Sequence, residues 1–303
     1  MSDTPVTVPV CYRHPSRETY VRCARCDRPI CPDCMRAASV GHQCPECVAE
    51  GRRTQRPART AFGGGVAGRE GYVTKVLMGI NVLVMLVSAA AGGANALAGG
   101  TGFGGLMGGS NTLTRWGSVL GYAAYSRLDP TVHGIAAGEV YRLFTAMFIQ
   151  YGILHLLMNM WALWILGRSL EAVLGPLRFA ALYLIAGLGG NVAVYVFSAP
   201  NQETAGASGA IFGLFAALFV IMRKLGRDTS AVIPILVINL VFTFAVPGIS
   251  IAGHLGGMAT GGIVAVILAY APRGARNAVQ VAGCAALVIL LAAATIIRTT
   301  ALL

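Results

Sequence analysis

Apolar runs separated by short polar segments dominate the chain beyond residue 75. The runs are 76–96, 143–166, 179–198, 208–222, 230–247, 250–271 and 278–297. A transmembrane α-helix needs about 20 apolar residues, so the runs predict seven membrane-spanning helices. The fourth run is too short to cross fully, and we therefore expect its helix to begin below the membrane surface, at Ser208. The pattern predicts an all-α polytopic membrane protein.

The first 70 residues are polar and rich in cysteine and arginine, unlike the runs that follow. The whole chain of 303 residues is 55% hydrophobic and only 12% charged. Soluble globular proteins contain about 25% charged residues, so the composition excludes that class. We expect a small N-terminal domain at residues 1–50 and a membrane domain at residues 72–303. Residues 51–71, with three consecutive glycines at 63–65, are typical of a flexible basic linker.

Basic residues stand mainly at alternate ends of the apolar runs. They precede the first run and follow the second, fourth and sixth, whereas the turns at 199–207 and 247–250 contain none. The long 97–142 connection is the exception. The positive-inside rule then predicts a multi-pass protein of the cell membrane, with a cytosolic N-terminus and an extracellular C-terminus. The net charge of +11 reflects this topology and contact with the lipid bilayer, and we expect no nucleic-acid partner.

Seven of the eight cysteines lie near the N-terminus in closely spaced pairs. The pairs are Cys11-x2-His14, Cys23-x2-Cys26, Cys31-x2-Cys34 and Cys44-x2-Cys47. Eight soft ligands suffice for two tetrahedral Zn²⁺ sites, and a reducing cytosol disfavours the alternative of disulfides. Because four protein ligands leave no position for water, we expect both ions to be structural. His42 is a ninth potential ligand that could replace Cys44 or Cys47, although we expect it to be a nearby bystander.

Four of the polar side chains inside the apolar runs are candidates for chemistry, because ionisable groups are rare there and usually functional. Ser208 and His254 offer a hydroxyl nucleophile and an imidazole base. His155 and Asn159 are four residues apart, so they share one face of the second helix and offer hydrogen-bond donors. Each residue alone has a packing interpretation. Together they predict hydrolytic chemistry inside the membrane.

Glycines favour close helix contact around these side chains. Gly206 and Gly209 flank the serine where the fourth helix begins, and the free N–H groups and dipole of that helix end would stabilise an oxyanion. The sixth run has a glycine at every fourth position, namely Gly253, Gly257 and Gly261. Such a ridge lets two helices approach closely, so we expect it to bring His254 to the serine. Helix packing without chemistry is the alternative.

The motifs Gly206-Ala-Ser-Gly209, His254-Leu-Gly-Gly257 and His155-x3-Asn159, on separate predicted spans, resemble those of the rhomboid family of intramembrane serine proteases. The resemblance covers residues 72–271 and implies a six-helix core. The run at 278–297 would be an appended seventh transmembrane helix. The high alanine, glycine and arginine content is similar to that of actinobacterial rhomboids.

The resemblance also implies roles for individual residues. Ser208 and His254 would form a catalytic dyad that needs no cofactor. The backbone N–H of Ser208 and the side chains of His155 and Asn159 would form the oxyanion hole. Phe212 would pack under the imidazole, where family members often have tyrosine. Gly206, Gly209 and Gly257 would support this arrangement.

The cysteine-rich segment resembles cross-braced, B-box-like zinc fingers, in which alternate pairs share an ion. This implies one zinc site made of Cys11, His14, Cys31 and Cys34. The other would consist of Cys23, Cys26, Cys44 and Cys47. We expect this domain to recognise a cytosolic protein partner or to regulate the membrane domain.

The expected substrates are single-span or polytopic membrane proteins whose spans unwind near small or helix-breaking residues. The main alternative is a catalytically silent rhomboid-like adaptor that binds membrane proteins, and the intact Ser208 and His254 argue against it. A transporter would require paired inverted repeats and charged residues within spans, which the sequence does not show.

Overall fold

The computed structural model describes residues 8–55, 58–65, 71–98, 109–124 and 131–303. The chain forms two compact units, and the boundary between them lies between Ala58 and Arg59. The cysteine pairs lie in the first unit, and the apolar helices lie in the second.

The N-terminal unit consists of short hairpins and one helix. Strand β1 (Val10–Cys11) pairs antiparallel with β2 (His14–Glu18), β3 (Arg36–Ala37) pairs with β4 (His42–Gln43), and helix α1 (Pro45–Thr54) follows. Its buried apolar cluster contains Ile30 and six cysteines. A domain of roughly 50 residues with so little apolar burial cannot fold on its core alone. The cysteine pairs must therefore supply much of its stability.

The membrane unit is helical. In chain order its helices are α2 (Tyr72–Gly92), α3 (Ala94–Leu97), α4 (Thr112–Gly117), α5 (Arg142–Thr145), α6 (Gly152–Leu174), α7 (Pro176–Phe197), α8 (Ser208–Lys224), α9 (Val232–Ala245), α10 (Ile251–Tyr270) and α11 (Arg276–Leu302). A two-stranded hairpin, β5 (Ala123–Ala124) with β6 (Val132–His133), lies in the connection between α4 and α5.

Helix lengths agree with a polytopic membrane protein. Among the described residues, α2, α6, α7, α10 and α11 are long and apolar enough to cross a bilayer, whereas the apolar α9 has 14 residues. Helix α8 has 17 residues and is about 25 Å long. It is therefore shorter than the thickness of the hydrocarbon core, which is about 30 Å. The predicted all-α polytopic fold, with a seventh C-terminal helix and a small cysteine-rich domain, is confirmed.

The second long helix begins later than the sequence predicted. The apolar run at 143–166 suggested a span over those residues, but α6 starts at Gly152 and ends at Leu174. Gly152 has a φ of +86°, which breaks the helix on its N-terminal side. The apolar residues 146–149 before it are buried inside the protein. Helix α6 continues past Arg168, whose guanidinium lies over the Trp164 ring, 4.6 Å from the centroid, and it ends before Gly175, which has a φ of +82°.

The predicted linker is also shorter in the structure. Helix α1 extends to Thr54, and residues 59–65 pack on the membrane unit. Phe62 is buried in the main hydrophobic core, and its carbonyl oxygen accepts a hydrogen bond from Gln280. Residues 56–57 and 66–70 lie outside the described residues. The predicted flexibility of the linker at residues 51–71 therefore does not hold at residues 59–65, which are packed on the membrane unit.

Helices α7, α8 and α10 form the centre of the membrane unit through contacts between glycines. A Cβ atom on Gly257 of α10 would overlap the carbonyl oxygen of Gly209 on α8, and one on Gly261 would overlap the Cα of Gly213. A Cβ on Gly190 of α7 would lie 2.8 Å from the carbonyl oxygen of Gly253. The backbones therefore touch directly, which is the close approach that the glycine spacing predicted.

Replacing Gly257 with alanine is expected to lower the stability of the membrane unit. The added methyl group meets backbone atoms that cannot move aside, so α8 and α10 must separate next to Ser208. Overpacking of this kind costs about 1–3 kcal/mol or more. Thermal unfolding in detergent should detect the loss of stability.

Gly262→Ala is the matched control on the same helix. The methyl group of that variant would lie 3.6 Å from the Cβ of Ala216, which is ordinary van der Waals distance. Alanine is also the better helix former by about 0.5–1 kcal/mol. The control should melt at or above the wild-type temperature. Equal melting of Gly257→Ala and Gly262→Ala would contradict the direct backbone contact.

The connection between α2 and α6 holds the segment that leads into α8. Val119 and Thr204 exchange two backbone hydrogen bonds, of 2.8 and 3.0 Å, and the N–H of Gly206 donates to the carbonyl of Ala146. Arg142, whose charge is fully buried, pairs with Glu139 at 2.6 Å. Burial raises the pKa of Glu139, but hydrogen bonds from its partners outweigh burial and lower it, so the carboxylate stays charged.

Glu171 fixes the N-terminal end of α2. Its buried carboxylate accepts hydrogen bonds from the backbone N–H groups of Val73 and Thr74, both at 2.9 Å, and from the Thr74 hydroxyl. These N–H groups have no acceptor within their own helix, and the negative charge complements the helix dipole. One side chain near the end of α6 thereby attaches α2 to the bundle.

Candidate active site and metal clusters

Ser208 and His254 meet at the contact between α8 and α10. The Ser208 Oγ lies 2.8 Å from the His254 Nε2, a normal hydrogen-bond distance. Ser208 is the first residue of α8, and His254 lies in the first turn of α10. His254 is 9% exposed, whereas Ser208 is half-buried, so the imidazole is the more shielded member of the pair.

The second nitrogen of His254 has a partner that the sequence did not indicate. Its Nδ1 lies 2.8 Å from the Oγ1 of Thr243 on α9. The single hydroxyl proton of Thr243 is donated to the carbonyl of Asn239, so the threonine oxygen must accept from His254 Nδ1–H. This fixes the tautomer with its lone pair on Nε2, towards Ser208. A lone threonine in an apolar run gave no signal because its partner lies on another helix.

The ring of Phe212 stacks on the imidazole of His254. The ring centroids are 4.1 Å apart and the planes are 16° from parallel. Phe212 lies one helical turn after Ser208, so α8 supplies both the hydroxyl and the surface that supports the imidazole. This is the residue to which the family resemblance assigns the support of the imidazole.

His155 faces the space beside Gly206 and Ser208. Its Nδ1 accepts a hydrogen bond of 3.2 Å from the backbone N–H of Tyr151, so the neutral ring carries its proton on Nε2. A Cβ on Gly206 would lie 3.1 Å from that Nε2 and 3.4 Å from the Ser208 Oγ. Gly206 has a φ of +147°, a conformation that favours glycine. The space where both groups converge therefore depends on this glycine.

Asn159 is held by a chain of buried amides. Its Nδ2 donates to the Oε1 of Gln150 at 2.7 Å, and the Nε2 of Gln150 donates to the Oδ1 of Asn81 on α2 at 2.8 Å. Asn81 in turn donates to the carbonyl of Leu77. Sequence reasoning missed Gln150, although an amide within an apolar run was a visible signal.

The N-terminal end of α8 adds backbone donors to this space. Helical hydrogen bonding begins with the N–H of Ile211, which donates to the carbonyl of Ala207. The N–H groups before it, including that of Ser208, have no acceptor within the helix. The positive end of the α8 dipole thus lies at the serine, which favours a negative charge there.

The cysteines and His14 of the N-terminal unit form two clusters that can each hold a metal ion. One consists of Cys11, His14, Cys31 and Cys34, and the other of Cys23, Cys26, Cys44 and Cys47. Within each, the ligand atoms lie within 4.8 Å of one another, and the cysteines are free thiols. These are the two sets that the cross-braced pattern predicts. His42 belongs to neither.

Distances within the clusters fit tetrahedral coordination. The His14 Nδ1 lies 3.8, 3.3 and 3.4 Å from the sulfurs of Cys11, Cys31 and Cys34. An ion bound at about 2.3 Å by sulfur and about 2.0 Å by nitrogen separates such ligands by about 3.5 Å. Burial raises the pKa of the cluster thiols. Backbone N–H groups outweigh burial at Cys11 and Cys23 and lower the pKa of both to about 6, whereas the pKa of Cys34 rises to about 11 and that of Cys47 to about 12. Thiolates are the form that binds metal.

Comparisons with known proteins agree with this architecture. Residues 137–271 match the Rhomboid domain family. The chain is 41% identical over 149 residues to the rhomboid protease GluP of Bacillus subtilis, covering 46% of this chain and 28% of GluP. It is 35% identical over 133 residues to a second rhomboid protein of that bacterium, YdcA, covering 42% of this chain and 67% of YdcA. Inactive rhomboid protein 1 of Papio anubis is 34% identical over 140 residues, covering 44% of this chain and 16% of that protein.

The matched region contains Ser208, His254, His155 and Asn159, and it omits the whole N-terminal unit. The chain spans 28% of the length of GluP, which is well under two thirds, and 67% of the length of YdcA. Shared sequence over α6 to α10, together with the helical architecture, establishes that the chain belongs to the rhomboid family.

Proposed function

We propose that the protein is an intramembrane serine endopeptidase that cuts transmembrane segments of membrane proteins with a Ser208–His254 dyad. The observation that carries this proposal is the 2.8 Å hydrogen bond between the serine hydroxyl and an imidazole whose tautomer Thr243 fixes. A neutral imidazole with its lone pair on Nε2 is the form that accepts the serine proton.

In the proposed first step, the Ser208 oxygen attacks the scissile carbonyl carbon while His254 Nε2 accepts the hydroxyl proton. The resulting imidazolium keeps its Nδ1–H bond to Thr243. Collapse of the tetrahedral intermediate breaks the C–N bond, and the imidazolium returns the proton to the leaving amine. A water molecule then repeats the sequence on the ester, which releases the acid and restores the serine.

The negative oxygen of each tetrahedral intermediate would lie beside Gly206. We assign as its donors the Nε2–H of His155, which lies beside Gly206, the backbone N–H groups at the start of α8, and the second N–H of the Asn159 amide, which lies one turn after His155 on α6. Because the amide chain through Gln150 fixes Asn159 in advance, no reorganisation is needed when charge develops. Losing one such donor typically slows an enzyme about 10²–10³-fold.

Substrates would reach the dyad from the bilayer past α9. Within this helix only Val232 and Thr243 are buried, so it is the least embedded of the apolar helices around the site. Outward movement of α9 would open the way for a single-span or polytopic substrate, whose own helix must unwind to present an extended peptide bond. The same movement would withdraw Thr243 from His254.

Thr243→Val is expected to lower kcat about 10- to 100-fold with little change in KM. Valine keeps the shape of threonine but removes the oxygen that accepts from the imidazole, and hydrogen bonds to charged groups contribute about 1.5–3 kcal/mol. Steady-state kinetics on a reconstituted substrate would measure both constants. Thr243→Ser, which restores the hydroxyl, should recover most of the rate. Wild-type kcat in the valine variant would contradict the positioning role.

The N-terminal clusters support a further part of the proposal, namely two structural zinc ions. Three thiolates with one imidazole, and four thiolates, are donor sets typical of structural Zn²⁺. Bound zinc would supply folding energy to the domain and would take no part in proteolysis. Elemental analysis of the purified full-length protein should give two zinc ions per chain.

We propose that the folded domain recruits a cytosolic partner, with the N-terminus cytosolic and the C-terminus extracellular.

The decisive test is reconstitution of the purified protein in liposomes with a panel of tagged single-span substrates. We expect cleavage within or beside the span and covalent labelling of Ser208 by a fluorophosphonate probe. If the protein retained substrates without cutting them or reacting with the probe, it would be the silent adaptor instead. A related protein named as inactive makes that outcome a specific alternative.

A further inference from the structure

Four arginines surround an open cavity at the end of the membrane unit opposite the dyad. The cavity has a volume of about 340 Å³ and is lined by Arg59, Gly63 and residues 273–278. Arg178 of α7 borders it and donates to the Oδ1 of Asn277 at 2.8 Å. We propose that this arginine cavity binds the phosphate group of an anionic lipid.

The arginines are brought together by three separate parts of the chain. Arg59 comes from the segment before α2, Arg178 from the first turn of α7, and Arg273 and Arg276 from the turn into α11. A Cβ on Gly63 would lie 2.9 Å from the Cδ of Arg276 and 3.6 Å from the Nη2 of Arg178. The two guanidinium groups therefore lie over the same glycine.

Protein carboxylates do not balance this charge. In the described part of the chain, the arginines with a carboxylate within 4.0 Å are Arg17, Arg22, Arg25, Arg28 and Arg142. Three of the four arginines of the cavity bond to neutral groups instead. Arg178 donates to Gln280 and Asn277, Arg276 to the carbonyl of Ala61, and Arg59 to the carbonyl of Gly63. Because like charges repel, an anion that joins them is stabilising.

The start of α11 provides backbone donors at the same place. This helix has 27 residues and begins at Arg276, so its first N–H groups and the positive end of its dipole face the lining residues 273–278. A Cβ on Gly274 would meet nothing within 4 Å, which leaves the backbone open to approach. Guanidinium groups beside a helix N-terminus are a combination that binds phosphate.

Position in the bundle favours a lipid phosphate over a dissolved one. Helix α10 ends at Tyr270, shortly before the cavity, and the Lys224 ammonium at the end of α8 lies 4.2 Å from the centroid of that ring. The cavity thus lies where several helices leave the apolar region, at the level of the headgroups. Its volume is at the lower end of the about 300–1,000 Å³ of small-ligand sites.

The test uses the full-length protein in neutral maltoside micelles, which contain no phosphate, and does not depend on proteolysis. Thermal unfolding is followed while phosphatidylglycerol, phosphatidylcholine or inorganic phosphate is added. Arg59→Gln/Arg273→Gln removes two charges of the cavity, and Arg227→Gln, beyond the end of α8, is the matched control. We expect phosphatidylglycerol to raise the melting temperature of the wild type and the control, and to bind the double variant about 10- to 30-fold more weakly.

These additions and variants distinguish three outcomes. Selective loss of the phosphatidylglycerol effect in the double variant supports a lipid site. Equal stabilisation by inorganic phosphate, lost in the same variant, retains the phosphate site but identifies a dissolved ligand. Equal weakening in the control, or no selective binding by the wild type, overturns the proposal. If the double variant unfolds in neutral micelles, Arg273→Gln alone suffices, since Arg273 makes no hydrogen bond or ion pair with a described residue.

Discussion

Replacing Ser208 with alanine is expected to abolish proteolysis while the protein keeps its fold. The hydroxyl is the only group placed 2.8 Å from His254 Nε2, and no other nucleophile among the described residues occupies that position. Removing a catalytic serine from a hydrolase costs at least about 10⁴-fold in kcat. Cleavage of a reconstituted single-span substrate should fall below detection. Because the lost hydroxyl group is small and half-buried, the melting temperature should change little.

Two variants make this result interpretable. Ser169→Ala removes an exposed hydroxyl that donates to the carbonyl of Ile165 on α6, and it should cleave at the wild-type rate. His254→Ala removes the base and should be as inactive as Ser208→Ala, and the two changes together should cost no more than either one, because the residues act as a unit. Residual cleavage in Ser208→Ala would disprove the proposed nucleophile.

Removing the metal is expected to unfold the N-terminal unit and leave the membrane unit intact. The cysteine-dominated core of the N-terminal unit has little else to hold it together, and apparent binding energies of structural zinc are about 10–16 kcal/mol. Treatment of the full-length protein with a strong chelator should make residues 8–54 sensitive to protease and fast in amide hydrogen exchange. The helices from α2 onwards should keep their protection.

Point variants separate the two clusters. Along the chain, Cys23 and Cys26 lie between the two ligand pairs of the first cluster. Each bound metal would therefore close a loop that contains ligands of the other cluster. Cys34→Ser should therefore lower the metal content below one ion per chain. Cys284→Ser removes a thiol of α11 outside both clusters and should retain two. An N-terminal unit that stays protected after complete metal removal would show that zinc is dispensable for folding.

Local features of the sequence predicted most of the architecture. Apolar runs mark helices because backbone groups in a bilayer must bond within their own segment. The cysteine pairs predicted both clusters, since each pair needs only one turn to place two ligands. The short fourth helix, beginning at Ser208, and the glycine ridge of α10 were equally readable, because length and four-residue spacing are local properties.

Features that depend on distant partners were not predictable. The start of α6 at Gly152 depends on where residues 146–149 are buried, and the apolar composition of that segment is the same for a buried turn and a span. Thr243 acquires its role only because α9 lies beside His254. The packing of Phe62 under α11 was hidden within a glycine-rich segment whose composition is typical of flexible chains.

The hydrogen bonds that Glu171 accepts from α2 affect when this part of the bundle can assemble during synthesis. The N–H groups of Val73 and Thr74 that it caps are synthesised 98 and 97 residues earlier. At about 5–20 residues per second, translation takes about 5–20 s to cover that distance. During this interval the first transmembrane helix is present in the membrane without its final acceptor. The N-terminal end of this helix therefore gains its acceptor only after the end of α6 has emerged from the ribosome.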